Sequence, residues 1–296
     1  MITPLFTNFA LDNHEMMPRL RFLILLIAAI IASADMQAQI LSVDHQKRFT
    51  DSLRKEFDNG PYFTLFKDNY FLVGTEAFRK PTKYNSDVKF QISISQRLTK
   101  STLPWNTYLF LAYTQKVTWD VFRKSMPMHD LGFNPGIGLS KPLFAKDRYI
   151  GKATLMIEHE SNGRDSIWSR SWNRISLGAT IMIDPWIMVH GKVWIPIVDG
   201  ENNRDILRYT GIWQSGVVIT TPDNKFSWGL TFVKRQGWNL NFNTIFDFCW
   251  RVHKKSNQYF YVQYYNGYGE NLLDYNKFHS RIRVGIIIKP KFFSEF

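Results

Sequence analysis

From residue 68 onward, apolar and polar residues alternate. Val88, Phe90, Ile92 and Ile94 are interleaved with Lys89, Gln91, Ser93 and Ser95, and Ile282, Val284, Ile286 and Ile288 with Arg281, Arg283 and Gly285. Successive side chains of a strand point to opposite faces, so a period of two predicts strands with one apolar and one polar face. It does not suit strands buried on both sides. Turn-like stretches divide the chain into about twelve strands, near 68–75, 86–97, 105–119, 133–142, 149–161, 169–183, 186–196, 208–221, 225–234, 239–251, 258–266 and 280–290. Most reach the roughly 9–11 residues that a tilted strand needs to cross a membrane. A soluble sandwich alternates too. Strand length, an even strand number, and Trp105, Trp119, Trp172, Trp186, Trp194 and Trp213 near strand ends, as interfacial girdles would be, favour a barrel. The predicted fold is therefore all-β: a transmembrane antiparallel β-barrel of about 12 strands, apolar outside and polar inside, with no open edge.

The start of the chain has a different pattern. Arg19 and Arg21 precede an apolar run at 22–31, and Met36-Gln37-Ala38 makes an acceptable cleavage site before Gln39. Residues 1–38 are predicted to be a signal peptide, with translation starting at Met1 or at Met16 or Met17. The apolar run is too short to span a bilayer. Residues 39–67, with His45, Lys47, Arg48, Asp51, Arg54, Lys55 and Glu56, read as a polar periplasmic lead-in with a short helix near 46–57. Residues 68–296 form the barrel, without repeats or a second domain.

Composition narrows the partners. The chain of 296 residues is 45% hydrophobic and 16% aromatic, with a net charge of +12. Its Lys and Arg are scattered along strands and turns, which argues against nucleic acid and fits anionic lipid headgroups or a basic lumen. Cys249, the only cysteine, excludes an intramolecular disulfide and a cysteine metal cluster. His190 and His253 have no partner at metal-ligand spacing and read as lumen or girdle residues.

Candidate chemistry lies in one hairpin. Ala153, Leu155, Ile157, His159 and Ser161 share one strand face, and Asn173, Ile175, Leu177, Ala179 and Ile181 share one face of the return strand. Pairing His159 with Asn173 aligns Ser161 with Ser171, Ile157 with Ile175 and Leu155 with Leu177. A hydroxyl and an amide then flank one imidazole on an apolar face. Ser161 is a candidate nucleophile, His159 its base and Asn173 the group that orients the ring. An amide in that place avoids an anion facing lipid. Glu160 points to the opposite face.

The run His-x-Ser-Asn-Gly-Arg at 159–164 and the run Ser-Arg-Ser-Trp-Asn-Arg at 169–174 resemble the outer membrane phospholipase A family of Gram-negative bacteria. Lys89-Phe90-Gln91-Ile92-Ser93, Tyr113-Thr114-Gln115-Lys116 with Trp119, and the stretch Gly-Tyr-Gly-Glu-Asn-Leu-Leu-Asp-Tyr-Asn at 267–276 are similar to other parts of that family, so the resemblance covers residues 68–290. It implies a calcium-dependent serine hydrolase of phospholipid acyl esters (A1, A2 and lysophospholipase type), with its site on the lipid-facing side near the outer leaflet. It also implies a homodimer when active and a monomer when inactive. By position, Gly163 would supply an oxyanion donor. Ser169 and Arg164 would supply calcium oxygens and Ser125 a third from the other subunit. A terminal aromatic, here Phe296, is also implied. Independently of the resemblance, Gln115 shares a strand face with Leu109, Leu111 and Tyr113, so it is a polar amide on the lipid side that its own copy across a two-fold axis would satisfy. A non-enzymatic channel or structural barrel remains the alternative, and would be expected to lack His159, Ser161 or Asn173. A lipid A deacylase, another barrel with Ser and His, is separated by its lipid products.

Overall fold

The computed structural model describes residues 43–145, 148–198, 200–254, 256–291 and 293–296. The expected signal peptide lies outside the described residues. After helix α1 (Val43–Asp58) come β1 (Phe63–Leu65), β2 (Asn69–Glu76), β3 (Ser86–Arg97), β4 (Tyr108–Trp119), β5 (Met128–Ala145), β6 (Arg148–Ser161) and β7 (Ser171–Asp184). Then follow β8 (Ile187–Ile197), the short helix α2 (Leu207–Thr210), β9 (Trp213–Thr220), β10 (Phe226–Lys234), β11 (Phe242–Arg251), β12 (Gln258–Gly267) and β13 (His279–Ile288). From β2 onward each strand pairs antiparallel with the next, and β13 returns to β2 at Val284↔Val73, closing a barrel of twelve strands. Strand β1 pairs with β3 at Leu65↔Ile94, just beyond the last β2 pair, Tyr70↔Gln91. The two short strands thus act as one interrupted strand. At the break, Phe66 packs inward with Phe110, Ala112 and Met156.

The period of two sets the two faces. Ile92, Leu111, Ile137, Leu155, Ile157, Leu177, Ile282, Val284 and Ile286 are exposed on the outside, while Asp87, Lys89, Ser93, Thr114, Ser140, Thr154, Glu158 and Arg283 are buried inside. No described helix is long and apolar enough to cross a membrane; a barrel crosses with strands. Many of the internal charges are paired, which offsets the cost of a closed low-dielectric space. Arg283 reaches Asp87 at 2.8 and 2.9 Å and Glu270 at 2.5 Å, and Lys89 reaches Glu270 at 3.1 Å. A second group joins Glu158 to Lys192 at 2.7 Å and to Arg174.

Residues 293–296 also turn inward. Phe293 packs on Tyr149, Ser294 bonds Asp68, and Glu295 lies 3.3 Å from Lys152 Nζ. Phe296 stacks on the buried His190 with ring centroids 3.7 Å apart. Two lumen cavities, about 320 and 520 Å³, share Ser294 and Phe296 in their walls, so this segment divides the interior.

Two expectations need correction. Trp172 and Trp194 are not girdle residues. They share strand parity with Arg174 and Lys192, point inward, and pack with Ile206, Leu272 and Tyr275. Their indole N–H groups donate to Glu160 and to the Gly211 carbonyl, as buried indoles require. The strand expected from 208 begins instead at Trp213. Residues 207–210 make a helical turn because Ile206, Leu207 and Tyr209 pack on that cluster, and Gly211, at φ +67°, ends it.

Candidate active site

Strands β6 and β7 pair in the register read from the sequence: His159↔Asn173, Ser161↔Ser171, Ile157↔Ile175 and Leu155↔Leu177. His159 and Ser161 are half-buried on the outer face, in line with Leu155 and Ile157, which are 47% and 60% exposed. His159 Nδ1 lies 2.8 Å from Asn173 Oδ1. Since an amide oxygen only accepts, Nδ1 carries the proton in this contact and the Nε2 lone pair is left unprotonated. No hydrogen bond joins Ser161 Oγ to the ring among the described residues. On the neighbouring strand, Pro135 has no N–H to offer, and Asn134 Nδ2 bonds the His159 carbonyl at 2.8 Å.

The carboxylates of the same strand face the lumen. Glu158 receives Lys192, Arg174 and Ser176, and Glu160 receives Trp172 Nε1 at 3.1 Å and Arg174 Nη1 at 3.0 Å. Neither shares a face with Ser161.

The 162–170 connection is folded around one buried side chain. Asn162 is 1% exposed. Its Nδ2 donates to the Trp168 carbonyl at 2.9 Å, and its Oδ1 accepts the Arg170 and Arg164 amides at 3.0 and 3.3 Å. This draws residues 164 and 168–170 round one centre. Gly163 has φ +63°, and a Cβ there would lie 2.7 Å from the Phe133 ring. Its N–H has no acceptor among the described residues. Arg164 sends its guanidinium to the Met128 and His129 carbonyls at 3.3 and 2.7 Å. Ser169 is half-buried, Asp165 is exposed, and Ile167 and Trp168 project outward at 68% and 54% exposure.

Nearby, His129 Nε2 lies 2.6 Å from Asp274 Oδ2. Burial pushes the Asp274 carboxyl up, but hydrogen bonds from His129 and Lys277 outweigh it and hold it well below the usual range. The structure brings His159, Ser161, Asn173, Gly163, Arg164 and Ser169 into one region. Gln115 and Ser125 belong to β4 and the turn after it. Gln115 is half-buried on the outer face and accepts the Tyr113 hydroxyl at 2.9 Å. Ser125 is exposed with φ +66°, and no described contact joins it to the 162–170 connection. Among the described residues no three His, Cys, Asp or Glu side chains cluster as metal ligands. Hydroxyl and carbonyl oxygens gathered by Asn162 fit calcium, which accepts neutral oxygen ligands, better than a metal that needs imidazole or thiolate.

Asn134, Asn162, Asn202 and Asn203 were not among the sequence candidates. Asn162 lay within the motif, but the others carry no local signal.

A closed strand cylinder, apolar outside and charged within, defines an outer-membrane β-barrel. The sequence profile described as Phospholipase A1 matches residues 54–288. Phospholipase A1 of Klebsiella pneumoniae is 28% identical over 294 residues, covering 90% of this chain and 98% of that protein. Phospholipase A1 of Escherichia coli K12 is 31% identical over 215 residues, 70% of this chain and 71% of that one. The calcium-bound dimer of Salmonella typhi outer membrane phospholipase superposes with a TM-score of 0.68 at 24% identity, covering 78% of this chain and 94% of that chain. This chain belongs to the phospholipase A1 family.

Proposed function

We propose that this barrel hydrolyses acyl ester bonds of phospholipids (positions 1 and 2, and lysophospholipids) with Ser161, His159 and Asn173 as its triad. The observation that carries the reading is the 2.8 Å His159–Asn173 contact on the lipid-facing side, with Ser161 two residues along the same face. His159 Nε2 takes the proton as Ser161 Oγ attacks the acyl carbonyl, giving a tetrahedral oxyanion. The Gly163 N–H, exposed and without an internal acceptor, stabilises that oxyanion. His159 returns the proton to the leaving alkoxide, and water, activated by the same ring, releases the fatty acid from Ser161.

Calcium fits the connection beside the triad. The Ser169 hydroxyl and Arg164 carbonyl would hold it, with Ser125 of a second copy adding an oxygen, and bound calcium would supply positive charge near the oxyanion. Association then completes the site, so monomers are quiet and dimers active. Apart from 98–107, the longer connections lie at the end carrying 162–170, and the shorter 146–147, 185–186, 221–225 and 252–257 at the other. That asymmetry fits a site at the outer leaflet. The paired charges and the inward segment 293–296 crowd the lumen, which argues against the channel reading.

The test is hydrolysis of a fluorescent phospholipid in detergent, with calcium or chelator. Calcium-dependent activity that disappears in Ser161→Ala, with the variant still a heat-modifiable folded barrel, supports the reading. Full activity in Ser161→Ala overturns it.

A further inference from the structure

We infer that Asn203, in the 198–212 connection, is a positioning residue for the hydrolysis proposed above, and the inference rests on that reading. Strand β8 ends at Ile197, opposite Asn173, so it offers no strand partner beside Ser171. Ser171 is the residue paired with Ser161 on its other side. The Asn203 carboxamide takes the missing strand's place. Its Oδ1 accepts the Ser171 N–H at 3.2 Å, and its Nδ2 donates to the Ser171 carbonyl at 2.9 Å. This is the two-bond pattern of a ladder rung, supplied by one side chain.

Asn203 is fully buried, at 0% exposure, so both amide atoms are committed. Gly200 is needed beside it. A Cβ there would lie 2.1 Å from Asn203 Oδ1 and 2.5 Å from the Ser171 carbonyl. The connection is itself anchored, because the Ile206 N–H bonds the Asn203 carbonyl at 3.0 Å and the Ile206 side chain, also at 0% exposure, sits in the cluster under the long connections. Asn202 adds a second tie, donating to the Ser166 carbonyl at 2.8 Å.

Two buried asparagines therefore grip the start of β7 from opposite sides. Asn162 holds Arg170 through its backbone N–H and its Oδ1, each at 3.0 Å, and Asn203 holds Ser171. Without Asn203, the Ser171 backbone loses its partner on the β8 side. The Ser161–Ser171 rung then frays at the point where the nucleophile must meet His159. Displacements of about 1 Å in such a site lower turnover steeply.

The experiment compares Asn203→Ala with the unaltered barrel and with Asn243→Ala. Asn243 is a similarly buried asparagine on β11 that ties the Tyr209 carbonyl and the Tyr268 N–H at 2.7 and 2.8 Å. Turnover per folded molecule, KM, and the rate at which a fluorophosphonate probe labels Ser161 are measured. Asn203→Ala is expected to lower kcat and the labelling rate about tenfold with KM unchanged, while Asn243→Ala leaves both rates intact. Should Asn203→Ala fail to fold, Asn203→Asp, which keeps the acceptor and loses the donor, carries the same comparison. Wild-type rates in the Asn203 variant, or an equal fall in Asn243→Ala, overturn the inference. If the unaltered protein shows no Ser161-dependent hydrolysis, the underlying reading fails instead.

Discussion

Asn173 Oδ1 accepts a hydrogen bond from His159 Nδ1 at 2.8 Å, across a single rung of the β6–β7 ladder. The bond fixes the tautomer that leaves Nε2 able to take a proton. An acceptor, not a charge, is what the position needs. Asn173→Ala is therefore expected to lower kcat about a hundredfold, and Asn173→Asp, which also accepts, to recover most of it. Steady-state rates in detergent check this; equal losses in both variants would remove the tautomer argument.

Gly163 sits where a side chain has neither the backbone conformation nor the room. At φ +63° an L-residue is strained by about 1–2 kcal/mol, and its Cβ would meet the Phe133 ring at 2.7 Å. Gly163→Ala is expected to turn the N–H away from the oxyanion and lower kcat by about 10²–10³. Adding Phe133→Ala relieves the clash but not the strain, so the double variant should recover only part of the rate. Full recovery would show that the backbone geometry of Gly163 is irrelevant.

Gln115 projects among Leu111 and Ile92 on the outer face, where an amide has no water to bond. Tyr113 supplies one hydrogen bond to its oxygen at 2.9 Å, and its Nε2 donates to no described group. A second copy across a two-fold axis would accept from that nitrogen. Gln115→Ala is expected to weaken self-association by about 0.6–2 kcal/mol, measured by sedimentation equilibrium in detergent with calcium. An unchanged monomer–dimer equilibrium would take Gln115 out of the interface.

The barrel and the face shared by His159 and Asn173 were legible in the sequence because both depend on strict alternation. Parity places His159 and Asn173 on one face, and of the registers that parity allows the structure shows the one pairing His159 with Asn173 and Leu155 with Leu177. Parity also determines where Trp172 and Trp194 go, but their position near strand ends pointed to the membrane interface. Only the cluster with Ile206, Leu272 and Tyr275 shows that the interior takes them. Residues 208–210 were misread because Tyr209 and Thr210 are strand-favouring residue types, while the packing that turns them into a helix comes from Ile206 and a distant cluster. Asn203 was invisible for a different reason. Its partner, Ser171, is 32 residues away, and a local pattern cannot report where a strand has run out of neighbours.

Glu270 ties the connection before β13 into the barrel, bonding Arg283 at 2.5 Å and Lys89 at 3.1 Å. Burial alone would raise its carboxyl, but Arg283 and Lys89 overcome that and hold it well below its ordinary value of 4.5. The folded state thus binds this proton less readily than the unfolded chain. The contribution to stability is complete above pH 4.5 and is lost as pH falls toward the folded value. At pH 7, Glu270→Gln leaves two buried cations short of a partner and is expected to cost about 3–5 kcal/mol. Below pH 4.5 the gap should close by about 1.4 kcal/mol per pH unit, because the unaltered barrel loses stability that the variant never had. Urea unfolding in detergent, followed by tryptophan fluorescence at pH 7 and pH 3, measures both quantities. A gap of the same size at the two pH values would show that Glu270 does not carry the charge that Arg283 and Lys89 require.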